Sequence, residues 1–442
     1  MRTDLRIALL LTRGSDRREW WRVALTAVGA APATGLCLAA IAVASLQGQY
    51  SIPLAHGLLA QPGERAGVVL TLLLLLVPVL GFLGQCARVG AVHRDRRMAG
   101  LRLTGATPAQ VRRIAALESG LACLIGSAVA TALSAPVLLR QWQSPPAVVW
   151  AGCAGVALAV PVLGALVSML ALRRVVASPL GRVRRVRPAR WRRPGLAVLA
   201  TALVTLLTGL ALAPRDQDGF GTAPMLVFGV VVVTGLGAVW AVGASARLTG
   251  RVLAERTGNP AVLIAAERLR DDPWAGARTH AAVLLVTVVG TGFVGVRRVL
   301  LDVLTQRDHG NLSFYTTGID LTGAAILLAL AITLSGLAVG TAESLATRRR
   351  GLVAQAAAGV PVSVLGRALI LETALPLAPA VALAGAGGVA IGGWYGQLAD
   401  RGFIPVLPLV VPVIVYAACL LAAATSLPLL RRSARPAELR HP

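Results

Sequence analysis

The chain has 442 residues, 56% of them hydrophobic and 14% charged, with mean hydropathy +0.73 and a formal net charge of +24. That apolar excess excludes an ordinary soluble globular protein and implies a polytopic membrane protein. Every basic residue other than His is Arg, so the chain lacks the Lys that a P-loop sets on nucleotide phosphates and the Lys of Schiff-base chemistry.

A spanning helix needs about 20 largely apolar residues. In chain order, ten stretches qualify: 23–46, 66–87, 114–138, 147–172, 195–213, 225–245, 279–296, 321–341, 368–396 and 403–430. Of the 43 Arg, 36 fall in residues 1–22, 88–113, 173–194, 246–278, 344–367 and 431–442, and 7 fall in the alternating loops. This is the positive-inside pattern along the whole chain. It puts both termini in the cytoplasm and accounts for the net charge without nucleic acid. Residues 1–22 are too charged and too long for the leading region of a cleavable signal peptide. The nine Arg of 173–194 suit topology and contact with anionic lipid.

The first span is preceded by Ile7-Ala8 with Arg13 five residues on, and the seventh by Ile264-Ala265 with Arg270 five residues on. Both stretches suit a helix lying in the interface, with Trp20-Trp21 and Trp274 at headgroup level. The longest likeness joins the segment after span two to the segment after span eight. One ungapped shift of 254 residues superimposes Arg94 on Arg348, Arg96 on Arg350, Gly105 on Gly359, Arg113 on Arg367 and Glu118 on Glu372. Positive-inside anchoring explains the Arg but not Gly and Glu matched at one spacing. Gly105 can take the left-handed conformation that ends a helix, and Thr107-Pro108-Ala109-Gln110 reads as a capping box. The second copy keeps Gly359 and has Pro361 but no polar cap, which predicts a less sharply defined helix start.

The architecture expected is all-α: about ten transmembrane helices in two parallel four-helix repeats, joined by a two-helix hairpin, with no large extracytoplasmic domain. The divisions are 1–172, 173–260 and 261–442. An even number of spans separates the copies, so the repeats are parallel and imply a pseudo-twofold axis along the membrane normal. Loops 47–65 and 297–320 are too short for a folded domain. Five Cys fall in or at spans without the spacing of a disulfide framework or zinc site, which makes them apolar packing residues, and the five His form no ligand pair. Gly385, Gly387, Gly388, Gly392 and Gly393 predict close helix packing in span nine. Spans two, four, eight and ten are almost free of ionisable groups, against the intramembrane acids of an ion-coupled carrier.

Leu101-Arg102-Leu103-Thr104-Gly105-Ala106-Thr107, Gln110-Val111-Arg112-Arg113 and Glu118 resemble the FtsX-like (MacB-type) permease family of ABC systems. The second copy keeps Gly359, Arg367 and Glu372, and the tail Pro436-Ala437-Glu438-Leu439-Arg440 is also typical. The ten-span layout resembles the bacitracin-type efflux permeases of that family. Two departures stand out: Arg97 and Gly351 occupy positions near the family's usual Glu ahead of the Gly, and no large extracytoplasmic domain fits.

The resemblance implies a permease subunit with no catalytic residues, no metal and no cofactor of its own, ATP and Mg being bound by a partner. That partner would be an ABC ATP-binding subunit, in two copies per chain. The coupling segments would comprise Arg94, Arg96, Arg97, Leu101, Arg102, Gly105 and Thr107, and Arg348, Arg349, Arg350, Gly359 and Pro361. Glu118 and Glu372 would be the acids at the entry of the following spans. Glu near a helix N-terminus also has a plain electrostatic role. The expected activity is export or extraction of a hydrophobic or amphipathic substrate, a lipid or peptide antibiotic, at a bacterial cytoplasmic membrane. Two alternatives stay open: a non-transporting mechanotransmission or sensing component with a sensor kinase or extracellular partner, and an ion-coupled secondary transporter.

Overall fold

The computed structural model describes residues 17–46, 59, 62–86, 100–101, 103–142, 145–171, 219–306 and 312–433. These residues form helices, turns and short connections, with no strand among them. Among the described residues nine helices are long and apolar enough to cross a membrane, so the protein is an all-α, multi-pass membrane protein. The predicted span 195–213 and the Arg-rich 173–194 lie outside the described residues.

The chain divides into two compact units, Met1–Pro188 and Ala189–Pro442. In the first, α1 (Arg17–Ala44), α2 (Pro62–Cys86), α3 (Pro108–Gln141) and α4 (Ala147–Ala171) follow one another. Helix α1 packs against the other three, and α3 packs on α4. The α1–α2 connection is held by Arg65, whose side chain is buried. Its Nε donates to Leu59 O at 2.7 Å and its guanidinium NH1 to Leu46 O at 3.0 Å.

The second unit contains α5 (Gly219–Arg256), α6 (Pro260–Asp271), α7 (Ala275–Gln306), α8 (Leu312–Thr347), α9 (Arg349–Ala357), α10 (Val362–Leu398), α11 (Val406–Ala424) and α12 (Leu427–Ser433). Helix α10 is its hub, packing on α5, α6, α7 and α11. Neighbour relations recur between units: α1–α2, α1–α3, α1–α4 and α3–α4 have counterparts in α7–α8, α7–α10, α7–α11 and α10–α11. The two helices entered from the repeated Gly segments, α3 and α10, hold corresponding places.

The hub depends on missing side chains. A Cβ at Gly387 would collide with Thr234 of α5, and one at Gly388 with Thr291 of α7. One at Gly392 would come within 3.0 Å of the Gly295 Cα, and one at Gly385 would collide with Pro412 of α11. Gly393 is different, because its nearest neighbour, Phe403, would lie 3.6 Å away in ordinary contact. The glycines are therefore packing surfaces, as their clustering predicts. Around the Pro-containing stretch of α10, Ser245 Oγ donates to Pro376 O at 3.1 Å and Tyr416 Oη to Ala374 O at 3.2 Å. Both bonds tie α10 to neighbouring helices, α5 and α11.

Helix lengths depart from expectation in several places. Residues 297–306 and 312–320, read as loop, continue α7 and α8 as helix. Helical hydrogen bonds need no apolar surroundings, and cross-links support these polar ends. Gln306 Nε2 donates to Asp302 Oδ1 at 3.3 Å, and Arg297 meets Asp320 at 3.4 Å. The predicted span 403–430 also breaks, into α11 and α12 at Thr425-Ser426. The Ser426 hydroxyl turns back to Ala423 O at 2.6 Å, and Pro428 has no N–H to continue the ladder. All five Cys are free thiols, four of them buried and Cys37 partly so.

Candidate functional site

The two Gly segments fold into the same elbow. Gly105 has φ +98° and Gly359 φ +90°, the only Gly with positive φ among the described residues. At the first, Ala106 N–H donates to Leu101 O at 3.0 Å; at the second, Val360 N–H donates to Gln355 O at 3.1 Å. These bonds are equivalent in register and are the 6→1 bond of a Schellman motif. The second elbow also has the inner bond, Gly359 N–H to Ala356 O at 3.0 Å. Among the described residues, a Cβ on either Gly would meet nothing within 4 Å. The requirement for Gly is thus in the backbone, not in packing.

The exits from the elbows differ in chemistry. Thr107 Oγ1 accepts from Gln110 N–H at 3.2 Å, and Gln110 Oε1 accepts from Thr107 N–H at 2.8 Å, completing the capping box with Pro108 in the first turn of α3. Pro361 caps α10 with no side-chain hydrogen bond. The start of α10 thus lacks the reciprocal side-chain bonds that fix the start of α3. Pro361 sits at φ −61° and ψ 141°, and its carbonyl accepts from Val364 at 3.0 Å and Leu365 at 3.2 Å. The pyrrolidine ring fixes the backbone angle at this position but supplies no side-chain acceptor.

Each matched acid lies ten residues beyond the first residue of its helix, Glu118 from Pro108 and Glu372 from Val362. At about 1.5 Å per residue that is about 15 Å along the axis, deeper than a helix-entry position. Glu118 is buried. Glu372 can sit at this depth because two Arg reach it. Arg348 NH1 donates to Oε1 at 2.7 Å and Arg268 NH1 to Oε2 at 3.4 Å. Arg268 NH2 also contacts Gln355 Oε1 at 3.4 Å. One carboxylate therefore ties together helix α6, the N-cap of α9 and the hub α10. Burial pushes the Arg268 pKa down from its ordinary value, Glu372 opposes this, and neighbouring Arg348 adds to it. Glu372 is what allows two cations to share this partly buried space.

A leucine cluster lies beside this ionic node. Leu345, Leu352, Leu365, Leu369 and Leu430 are buried together, with Ile264, Val360 and Leu427 packed around them. The cluster draws on α8, α9, α10 and α12 with α6 at its margin. Helix α9 is consequently fixed on one face by Leu352 and Val353, while Arg350, Gly351, Ala354 and Ala357 are exposed. Arg349 opens the same helix. The connection between α6 and α7 is pinned too. Trp274 packs on Gly243, and Arg247 of α5 lies 5.6 Å from its ring centroid.

Of the residues singled out from the sequence, Arg348 and Glu372 meet, and Gly359 and Pro361 form the turn between α9 and α10. Gly105 and Thr107 form the corresponding turn before α3, with Leu101 supplying its 6→1 acceptor. Arg94, Arg96, Arg97 and Arg102 lie outside the described residues. Sequence reasoning missed Arg268 and Gln355, which reach the node across 104 and 87 residues. Leu103, named from the sequence only within the family resemblance, is 73% exposed just before the first elbow. Among the described residues no group of His, Cys, Asp or Glu has the arrangement of a metal site.

Residues 67–180 match the family described as FtsX-like permease C-terminal. The matched stretch runs from α2 through the first elbow and α3 beyond α4, and the second elbow falls outside it. No curated protein and no solved structure matches the chain.

Proposed function

We propose, from the FtsX-like permease segment at residues 67–180, that this chain is the membrane subunit of an ABC transporter. In this reading it binds no nucleotide. Two copies of a separate ATP-binding subunit hold ATP and Mg and dock at the cytoplasmic ends, one at each elbow. Their closure moves the span bundle, and the bundle exports or extracts a hydrophobic or amphipathic molecule, a lipid or peptide antibiotic, from a bacterial cytoplasmic membrane.

The observation that carries the reading is the recurrence of one elbow, with left-handed Gly and an equivalent 6→1 bond, each time leading into a corresponding helix. A push on α9 would not be absorbed locally, because the leucine cluster and the Arg348–Glu372–Arg268 node join α9 to α10. Displacement of α10 would carry α5, α7 and α11, which pack on it. The exposed small residues of α9 leave a shallow surface for a partner, with Arg350 to steer it. At the first elbow Leu103 offers an apolar knob, where the equivalent position in the second is Ala357.

Affinity purification of the tagged chain from its native membrane tests the proposal. An ATP-binding subunit should co-elute, and its hydrolysis rate should rise in the complex while the chain alone hydrolyses nothing. Robust hydrolysis by the pure chain, or co-elution only of an extracellular enzyme or sensor kinase, would contradict it.

A further inference from the structure

A groove of ≈ 680 Å³ lies between the first turns of α10 and helix α12. Its apolar lining includes Ile370, Leu371 and Leu427. Two cations, Arg367 from α10 and Arg431 from α12, line it from different elements, and among the described residues no carboxylate does. Both Arg are exposed and neither makes an ion pair among the described residues. Gly366 keeps the groove open at its base, because a Cβ there would come within 3.3 Å of Leu427 Cδ2.

The position of the groove along the membrane selects its occupant. The eighth span among the described residues begins at Val362 and the ninth ends at Arg431. The groove is thus where one span enters the bilayer and the next leaves it, on the same side. Arg367 lies within the first two turns of its span, and Ile370 and Leu371 lie about one turn deeper. Positive charge at the rim with apolar surface below it matches a phosphate headgroup with an acyl chain under it. A soluble anion would leave the apolar part unused, and a soluble protein segment would have to enter the level of the lipid tails.

We infer that this groove is a binding site for an anionic phospholipid, its phosphate held by Arg367 and Arg431 and one acyl chain laid over Ile370 and Leu371. The inference stands independently of the coupling role assigned to the elbows. Basic pockets between spans on the cytoplasmic side are suited to such headgroups, with about 1 kcal/mol per Arg, or about fivefold in affinity.

The test uses the purified full chain in detergent, titrated with phosphatidylglycerol or phosphatidylcholine and read by native mass spectrometry. The wild type should retain phosphatidylglycerol preferentially. Arg367→Gln and Arg431→Gln should each reduce that preference about fivefold, and the double variant should abolish it. Ser363→Trp, placed in the groove lining, should block retention with both Arg intact. Arg350→Gln, outside the groove, should leave retention unchanged. An undiminished preference in the double variant would overturn the assignment. So would displacement of the lipid by water-soluble glycerol phosphate at equal concentration, which would mark a site for a free anion.

Discussion

Glu372 faces two guanidinium groups, and their different settings decide what its removal would do. The side chain of Arg268 is 15% exposed and that of Arg348 is 36% exposed. Arg348 can turn to water when its partner is lost, while Arg268 is left poorly solvated beside another cation. Charge-assisted hydrogen bonds contribute about 1.5–3 kcal/mol each, and the partial exposure here favours the lower end. Glu372→Gln should therefore lower the thermal midpoint of the purified chain and loosen α6 from α10. Hydrogen exchange would show the second effect as faster exchange in residues 260–271. Arg350→Gln, on the exposed side of α9, should change neither. Unaltered exchange in Glu372→Gln would show that the node is a surface ion pair without mechanical consequence.

At the scale of the helix, the close approaches of α10 distinguish its glycines. Gly388→Leu adds a side chain where even a Cβ collides with Thr291, so α7 and α10 must separate. Overpacking of this kind costs about 1–3 kcal/mol. Gly393→Ala meets only ordinary contact with Phe403 and should be close to neutral. Thermal unfolding of the two variants in the same detergent checks the contrast, and equal loss would refute it. These elements were legible to different degrees. Spans and elbows could be read because Gly, Pro and apolar runs act on their immediate neighbours. Gly105, Gly359 and the Thr107–Gln110 box needed nothing from the rest of the chain. The node was not legible, because Arg268 and Glu372 are 104 residues apart and only the packing of α6 on α10 brings them together. The break at Ser426 was hidden for another reason. Hydropathy averages over a window and does not register one Ser and one Pro that redirect two hydrogen bonds.

At the scale of the whole molecule, the Arg distribution sets an orientation open to direct test. With both termini cytoplasmic, single Cys introduced at Ser51, Gln217 and Asn311 should react with an impermeant thiol reagent added to intact cells, and one at Ser178 should not. The native background should be low, because Cys86, Cys123, Cys153 and Cys419 are buried. Labelling at Ser178 would invert or break the topology, and with it the placement of both elbows on the motor side.

The central claim is that two glycine elbows deliver the work of an ATP-binding partner to the spans. A Cβ at either Gly meets nothing within 4 Å among the described residues, so the main effect of Val there is on the backbone. A β-branched residue at φ near +90° is disfavoured by about 1–2 kcal/mol, while Asn visits that region more readily. The first elbow has the capping box and the exposed Leu103, and should carry the larger share. The decisive measurement is the partner's ATPase rate, stimulated by the chain in nanodiscs, for wild type, Gly105→Val, Gly359→Val and Gly105→Asn at matched insertion. Stimulation should fall most in Gly105→Val, less in Gly359→Val, and recover in part in Gly105→Asn. Undiminished stimulation in both Val variants would contradict the account.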